Sequence, residues 1–170
     1  MRVVGVDPGL RITGYGFIET CSRGNAGGGG LLSDRISLIE TGTIQPSPKD
    51  RIQDRLADIH RILGDLLEQY HPTVMVLEKL YAHARHPVTV SVLGHVRGVI
   101  CLLCAQKRIV LEEHSPKRVR QSVTGNGNAS KDQIRRVIAR QFGIPEEKLG
   151  LDASDALALA LAYLRRRGTV

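Results

Sequence analysis

An apolar run, "RVVGVD", opens the chain and ends on an acid, and the same figure returns further on as "TVMVLE". Unbroken runs of this length, rich in Val, predict strands buried on both faces, here at residues 2–7 and 73–78. Between them, "TGYGFIET" (13–20) and "ISLIETGTI" (36–44) predict two more strands, and short links make the first three an antiparallel meander. The period then changes. Ile52, Leu56, Ile59, Leu63 and Leu66 recur every three or four residues, the stripe of an amphipathic helix that ends before Pro72. After that helical crossover, the strand at 73–78 is expected to run parallel to the first.

In the second half, "VTVSVLGHVRGVICLLCAQ" (88–106) predicts a mostly buried helix in which Gly94 and Gly98 permit close packing. "RIVLEE" (108–113) predicts a fifth strand, and Ser115 followed by Pro116 opens a short helix. Ser130 with Gln133 makes a capping box for "KDQIRRVIARQF", and a last helix covers 152–167. "SRGNAGGGGLLSD" (22–34) is too rich in Gly for regular structure and predicts a flexible loop. With no internal repeat, the expectation is a single α/β domain over residues 1–167 and a short tail at 168–170.

Composition adds limits. A chain of 170 residues with 42% hydrophobic and 24% charged residues reads as one ordinary globular domain. No apolar run approaches the roughly 20 residues of a membrane span, and the N-terminus reads into a strand rather than an export signal, so no membrane and a cytoplasmic location are expected. Cys101 and Cys104 sit inside an apolar helical stretch and read as core. Lys plus Arg number 24 against 17 for Asp plus Glu, and the net charge of +7 favours a polyanionic partner.

The chemistry lies in the acids. If the first and fourth strands are adjacent and parallel, Asp7 and Glu78 face each other at the C-terminal edge of the sheet, where open α/β sheets carry their sites. Asp152 and Asp155, three apart, share one face of the last helix. Each acid also has a plain local reading: Asp7 capping a turn before Pro8, Glu78 as a surface charge, Asp152 as a helix cap, Asp155 as a first-turn acid favoured by the dipole. Four clustered carboxylates would repel strongly unless hard cations sat among them, which suits Mg²⁺ or Mn²⁺ and a two-ion phosphoryl displacement. The short-sided Gly9, Gly14 and Gly16 that follow Asp7 are expected to let a phosphate backbone come close.

"GVDPGLRITGYG", "VLEKLY", "RQSVTGNGNASK" and "DASDALALA" resemble, in order from residue 2 to about 164, the four motif blocks of the RuvC family of bacterial Holliday-junction resolvases. The resemblance implies an RNase H-like fold, a five-stranded mixed sheet flanked by helices. It also implies a homodimer that binds four-way junction DNA, nicks two strands of like polarity symmetrically, and works with a branch-migration motor of the RuvA and RuvB type. The family's acidic tetrad corresponds to Asp7, Glu78, Asp152 and Asp155, ligands of two Mg²⁺ ions that Mn²⁺ can replace, with Asp7 bridging them. Hydrolysis would leave 5′-phosphate and 3′-hydroxyl ends.

Tyr81 matches a family aromatic that stacks on a base at the junction centre, in a segment that also offers His83, Arg85 and His86 to DNA. Lys131 matches a lysine close to the scissile phosphate. Arg120 falls where some relatives have lysine, which keeps the cation but replaces a point charge by a rigid fork. A nucleotide-binding protein of the actin and sugar-kinase type would need a second lobe and a second phosphate loop. An RNase H-like nuclease acting on RNA would share the metal chemistry, and a module that only holds branched DNA would have no use for four acids.

Overall fold

The computed structural model describes residues 1–21, 35–80 and 87–168. Five strands form one mixed sheet: β1 (Arg2–Asp7), β2 (Thr13–Cys21), β3 (Arg35–Ile44), β4 (Val74–Glu78) and β5 (Val110–His114), in the order β3-β2-β1-β4-β5. The meander is antiparallel, with Asp7 opposite Gly14 and Gly16 opposite Thr41. β4 lies parallel to β1, Val6 beside Leu77, and β5 parallel to β4, Glu78 beside His114. This is the five-stranded mixed sheet the sequence predicts. The Gly-rich segment at 22–34 lies outside the described residues.

The unbroken apolar runs are explained by burial on both faces. On one side Val4, Val6, Met75 and Leu77 pack against α1 (Ile52–Tyr70) and α2 (Pro87–Lys107). On the other, Val3, Val74 and Val76 lie beneath α5 (Leu151–Arg166), and α3 (Pro116–Thr124) and α4 (Lys131–Phe142) cover α5 in turn. Helix α5 is therefore enclosed by sheet and helices together, and every residue from Ala156 to Leu164 is buried. A helix that is apolar all round is the physical requirement of that middle layer.

The glycines of the first hairpin do something other than expected. A Cβ on Gly5 would stand 1.9 Å from the Ala156 carbonyl oxygen, and one on Gly14 would stand 2.1 Å from that of Asp152. Gly16 lies under Leu157 in the same way. These positions are small to seat α5 on the sheet, not to admit a phosphate, and they bring the first turn of α5 down to the end of β1. Gly14→Ala is expected to cost about 3 kcal/mol, because backbone is what the new methyl meets. Thermal unfolding should show a fall on the order of 10 °C.

Helix α2 corrects three expectations. Among the residues of α2 whose burial is described, the stripe of Val96, Ile100, Leu103 and Cys104 is buried, while Gly94, Gly98, Cys101, Leu102 and Ala105 are exposed. Of the two cysteines read as core, Cys104 is, with its thiol 3.4 Å from the Met75 sulfur; Cys101 is not. By length and composition Val90–Lys107 would suffice to span a membrane, contrary to the expectation that no segment would. Its buried stripe on the sheet makes it the flank of a core instead.

Candidate functional site: an acidic cleft at the sheet edge

Four elements converge at the C-terminal edge of the parallel strands. Asp7 ends β1 and Glu78 ends β4, one step beyond Val6 and Leu77, the last residues that these two strands pair with each other. Thr13 is fully buried beside them. Its hydroxyl donates to the Gly9 carbonyl (2.7 Å) and accepts from the Gly9 N–H (3.3 Å), which staples the turn that follows Asp7. Sequence reading passes over this threonine, whose only signal is a hydroxyl at the start of an apolar strand.

Helix α5 starts with Gly150 as its N-cap, so Asp152 is not the cap. It lies in the first turn, with Asp155 one turn further in. The capping box of α4 forms as predicted: Ser130 Oγ accepts from the Gln133 N–H (3.2 Å), and Gln133 Oε1 accepts from the Ser130 N–H (2.8 Å). That cap sets Lys131 at the first position of α4, where its ammonium reaches Asp155 at 2.5 Å.

Asp7, Glu78 and Asp155 line one cleft of about 130 Å³ with Arg120, Lys131 and Pro116. A neighbouring cleft of about 230 Å³ on the other side of Asp7 and Glu78 is walled by Pro8, Lys79, Leu80, Leu93 and Arg97. The electrostatics of the site are under strain. Burial first, then the charge of Asp155, pushes the Asp7 carboxyl up to about 7; Lys131 pulls the other way. Glu78 is raised for the same two reasons, against Lys131, Arg120 and Arg97. For Lys131, burial disfavours the ammonium, but the bond to Asp155 and the charges of Asp155, Asp7 and Asp152 outweigh it and raise its pKa.

All four sequence-predicted acids thus sit around one edge, with Arg120 and Lys131 on its wall. Tyr81 and Arg85, with His83 and His86, lie outside the described residues. As the side chains stand, no three acid, histidine or cysteine groups among the described residues are close enough to ligate one ion together. The donor set still suits a hard divalent cation: carboxylate oxygens only, with burial and then the charge of Asp155 raising the pKa of Asp7.

The family model for the crossover junction endodeoxyribonuclease RuvC matches residues 3–163, nearly the whole chain. The chain belongs to the RuvC family. Among curated RuvC relatives, the one from Thermomicrobium roseum is 36% identical over 97% of this chain and 93% of its own length. The one from Rhodopirellula baltica is 35% identical over 94% and 83%. Among solved structures, Thermus thermophilus RuvC in complex with Holliday junction substrate superposes with a TM-score of 0.81 at 22% identity, covering 99% of this chain and 97% of that one. The yeast mitochondrial Holliday junction resolvase Ydc2 follows the same fold, with a TM-score of 0.67 at 18% identity over 98% and 79%.

Within this RuvC fold, Arg97 joins Thr13 among the residues that sequence reading missed. The signal was present, since Arg97 is the one Lys or Arg in the apolar stretch 88–106. The structure shows its guanidinium bonded to the Glu78 carbonyl at 2.7 Å.

Proposed function

We propose that this chain is a Holliday-junction resolvase that cuts four-way DNA junctions by phosphodiester hydrolysis with two divalent metal ions. The observation that carries the reading is the convergence of Asp7, Glu78 and Asp155 on one cleft, with Asp152 beside it, in a chain matched almost throughout by the RuvC model. Asp7, Glu78, Asp152 and Asp155 would hold the ions, Mg²⁺ or in its place Mn²⁺. When bound, such ions supply a nucleophilic water at neutral pH and offset charge on the leaving 3′-oxygen. That chemistry leaves 5′-phosphate and 3′-hydroxyl ends, which a ligase can seal.

The remaining work falls to this chain's own groups. Lys131 neutralises Asp155 in the free protein, and its half-exposed ammonium is then within reach of a phosphate entering the cleft. Arg120, on the same wall, offers a planar fork to phosphate oxygens. The net charge of +7 favours DNA over neutral partners. Acting on chromosomal DNA would put the protein in the cytoplasm and beside a branch-migration motor of the RuvA and RuvB type. The test is to offer the protein and Mg²⁺ a mobile four-way junction, a linear duplex and an RNA–DNA hybrid. Cutting confined to the junction is expected, sealed afterwards by ligase and abolished by chelator; cutting of the hybrid instead would select the RNA-directed nuclease.

The homodimer that the family resemblance implies would form through α2. Gly94 and Gly98 have open space where a side chain would be, and Leu102, 51% exposed, stands on the same outward side of the helix. A second copy of α2 fits such a small-residue stripe, because backbones can approach closely there. Leu102→Glu is expected to convert a dimer to a monomer on size-exclusion chromatography with light scattering. Paired nicking should fall with it, and an unchanged dimer would move the interface elsewhere.

A further inference from the structure

We propose that Arg97 is a positioning residue for the acidic cleft, holding the end of β4 from α2 so that the seating of α2 is felt at Glu78. This rests on the metal-dependent reading of the site. Arg97 Nη1 donates to the Glu78 carbonyl oxygen at 2.7 Å, and Nη2 pairs with the Glu113 carboxylate, the residue before the one paired with Glu78. One guanidinium therefore ties together the C-terminal ends of β4 and β5. The Lys79 N–H adds a second tie to the same place, donating to the His114 carbonyl at 2.8 Å. Glu78 is the last residue of β4 paired with β5, so these contacts at the end of the ladder set the direction in which its carboxylate leaves the sheet.

The contact is well protected. The Arg97 side chain is 12% exposed, against 43% for Glu113, so its charge is shielded and its geometry confined by packing. Arg97 also stands between the two faces of α2. Its neighbour Val96 belongs to the buried stripe, and its other neighbour Gly98 to the exposed one. A slide or roll of α2, as on packing against a second copy, moves the guanidinium and with it the Glu78 main chain. Lysine at this position keeps the charge but has no fork, and one ammonium cannot hold both oxygens in the same directions.

Full-length Arg97→Lys and Glu113→Gln variants test this by Mn²⁺ titration calorimetry on DNA-free protein and by single-turnover junction cutting over a range of Mg²⁺. Arg97→Lys is expected to bind Mn²⁺ about tenfold more weakly and to need correspondingly more Mg²⁺ for half-maximal rate, as for groups that orient metal ligands. Junction affinity without divalent ion should stay within about twofold. Glu113→Gln should shift Mn²⁺ affinity the same way by less, and the double variant should be no worse than Arg97→Lys, because the two act as one unit. Wild-type Mn²⁺ affinity in Arg97→Lys would overturn the proposal. So would a loss confined to melting temperature and junction binding, or, if Arg97→Lys fails to fold, a Glu113→Gln protein with unchanged metal affinity. A wild-type protein that binds Mn²⁺ but cuts no junction would instead sink the resolvase reading, leaving the metal titration as the measure of Arg97.

Discussion

Asp155→Asn is expected to bind a four-way junction nearly as tightly as the wild type and to cut it slower by a factor on the order of 10³ or more. Asp155 reaches the cleft from α5, raises the pKa of both Asp7 and Glu78 by its charge, and is held by Lys131 at 2.5 Å. Asparagine has the same shape but neither the charge nor the ligand strength of a carboxylate. The fold should tolerate it, since the Lys131 end of the ion pair is 56% exposed and such a pair contributes no more than about 1 kcal/mol. Binding measured by gel shift without divalent ion and cutting measured in Mg²⁺ separate the two roles. Full cutting by this variant would mean that the reaction centre is not this cleft.

The second large effect concerns Asp7 and pH. Its carboxyl titrates at about 7 in the folded protein against an ordinary value of 3.8, with burial the main cause and the charge of Asp155 next. Across that window the unfolded chain has released a proton that the folded chain still holds. The contribution to stability is therefore complete below pH 3.8 and is lost as pH rises through 7. Asparagine never ionises and loses nothing. Asp7→Asn is expected to gain on the wild type as pH rises, becoming more stable at pH 8 by about 2 to 4 kcal/mol in the absence of metal. Melting curves taken from pH 4 to pH 8 with chelator present check this. Added Mg²⁺ should raise the wild-type melting temperature mainly at the alkaline end. A stability difference between the two proteins that does not change with pH would contradict this account of Asp7.

Stability set aside at a reaction site is a familiar trade, and here its origin is legible. Three carboxylates share a small cleft, and Lys131 and Arg120 partly balance them. Under the metal-dependent function proposed above, a bound divalent cation would offset this cost.

Much of this was legible along the chain because the signals were periodic or chemical. The runs ending in Asp7 and Glu78 implied two buried parallel strands and hence a shared edge. The capping box at Ser130 located the start of α4 to the residue, and with it Lys131. What the sequence hid was cover supplied from elsewhere. An apolar helix predicts burial, but pattern cannot say whether the partner is in the same chain, so Cys101 and Leu102 looked like core and are exposed. Likewise a glycine after an acid is ambiguous between a ligand's approach and a helix's. Only the 2.1 Å between a Cβ on Gly14 and the Asp152 carbonyl oxygen decides for α5. Arg97 stood out as a lone cation, but pattern does not name its partners, Glu78 and Glu113, at the ends of the two strands that flank α2.

Mapping the nicks tests the central claim most directly. A mobile synthetic junction, labelled in turn on each of its strands, is incubated with the protein and Mg²⁺ and resolved at single-nucleotide resolution. Paired cuts at symmetric positions in two strands of like polarity are expected, present with wild type and absent with Asp155→Asn. Cuts scattered along the arms, or equal cutting of a linear duplex of the same sequence, would contradict it.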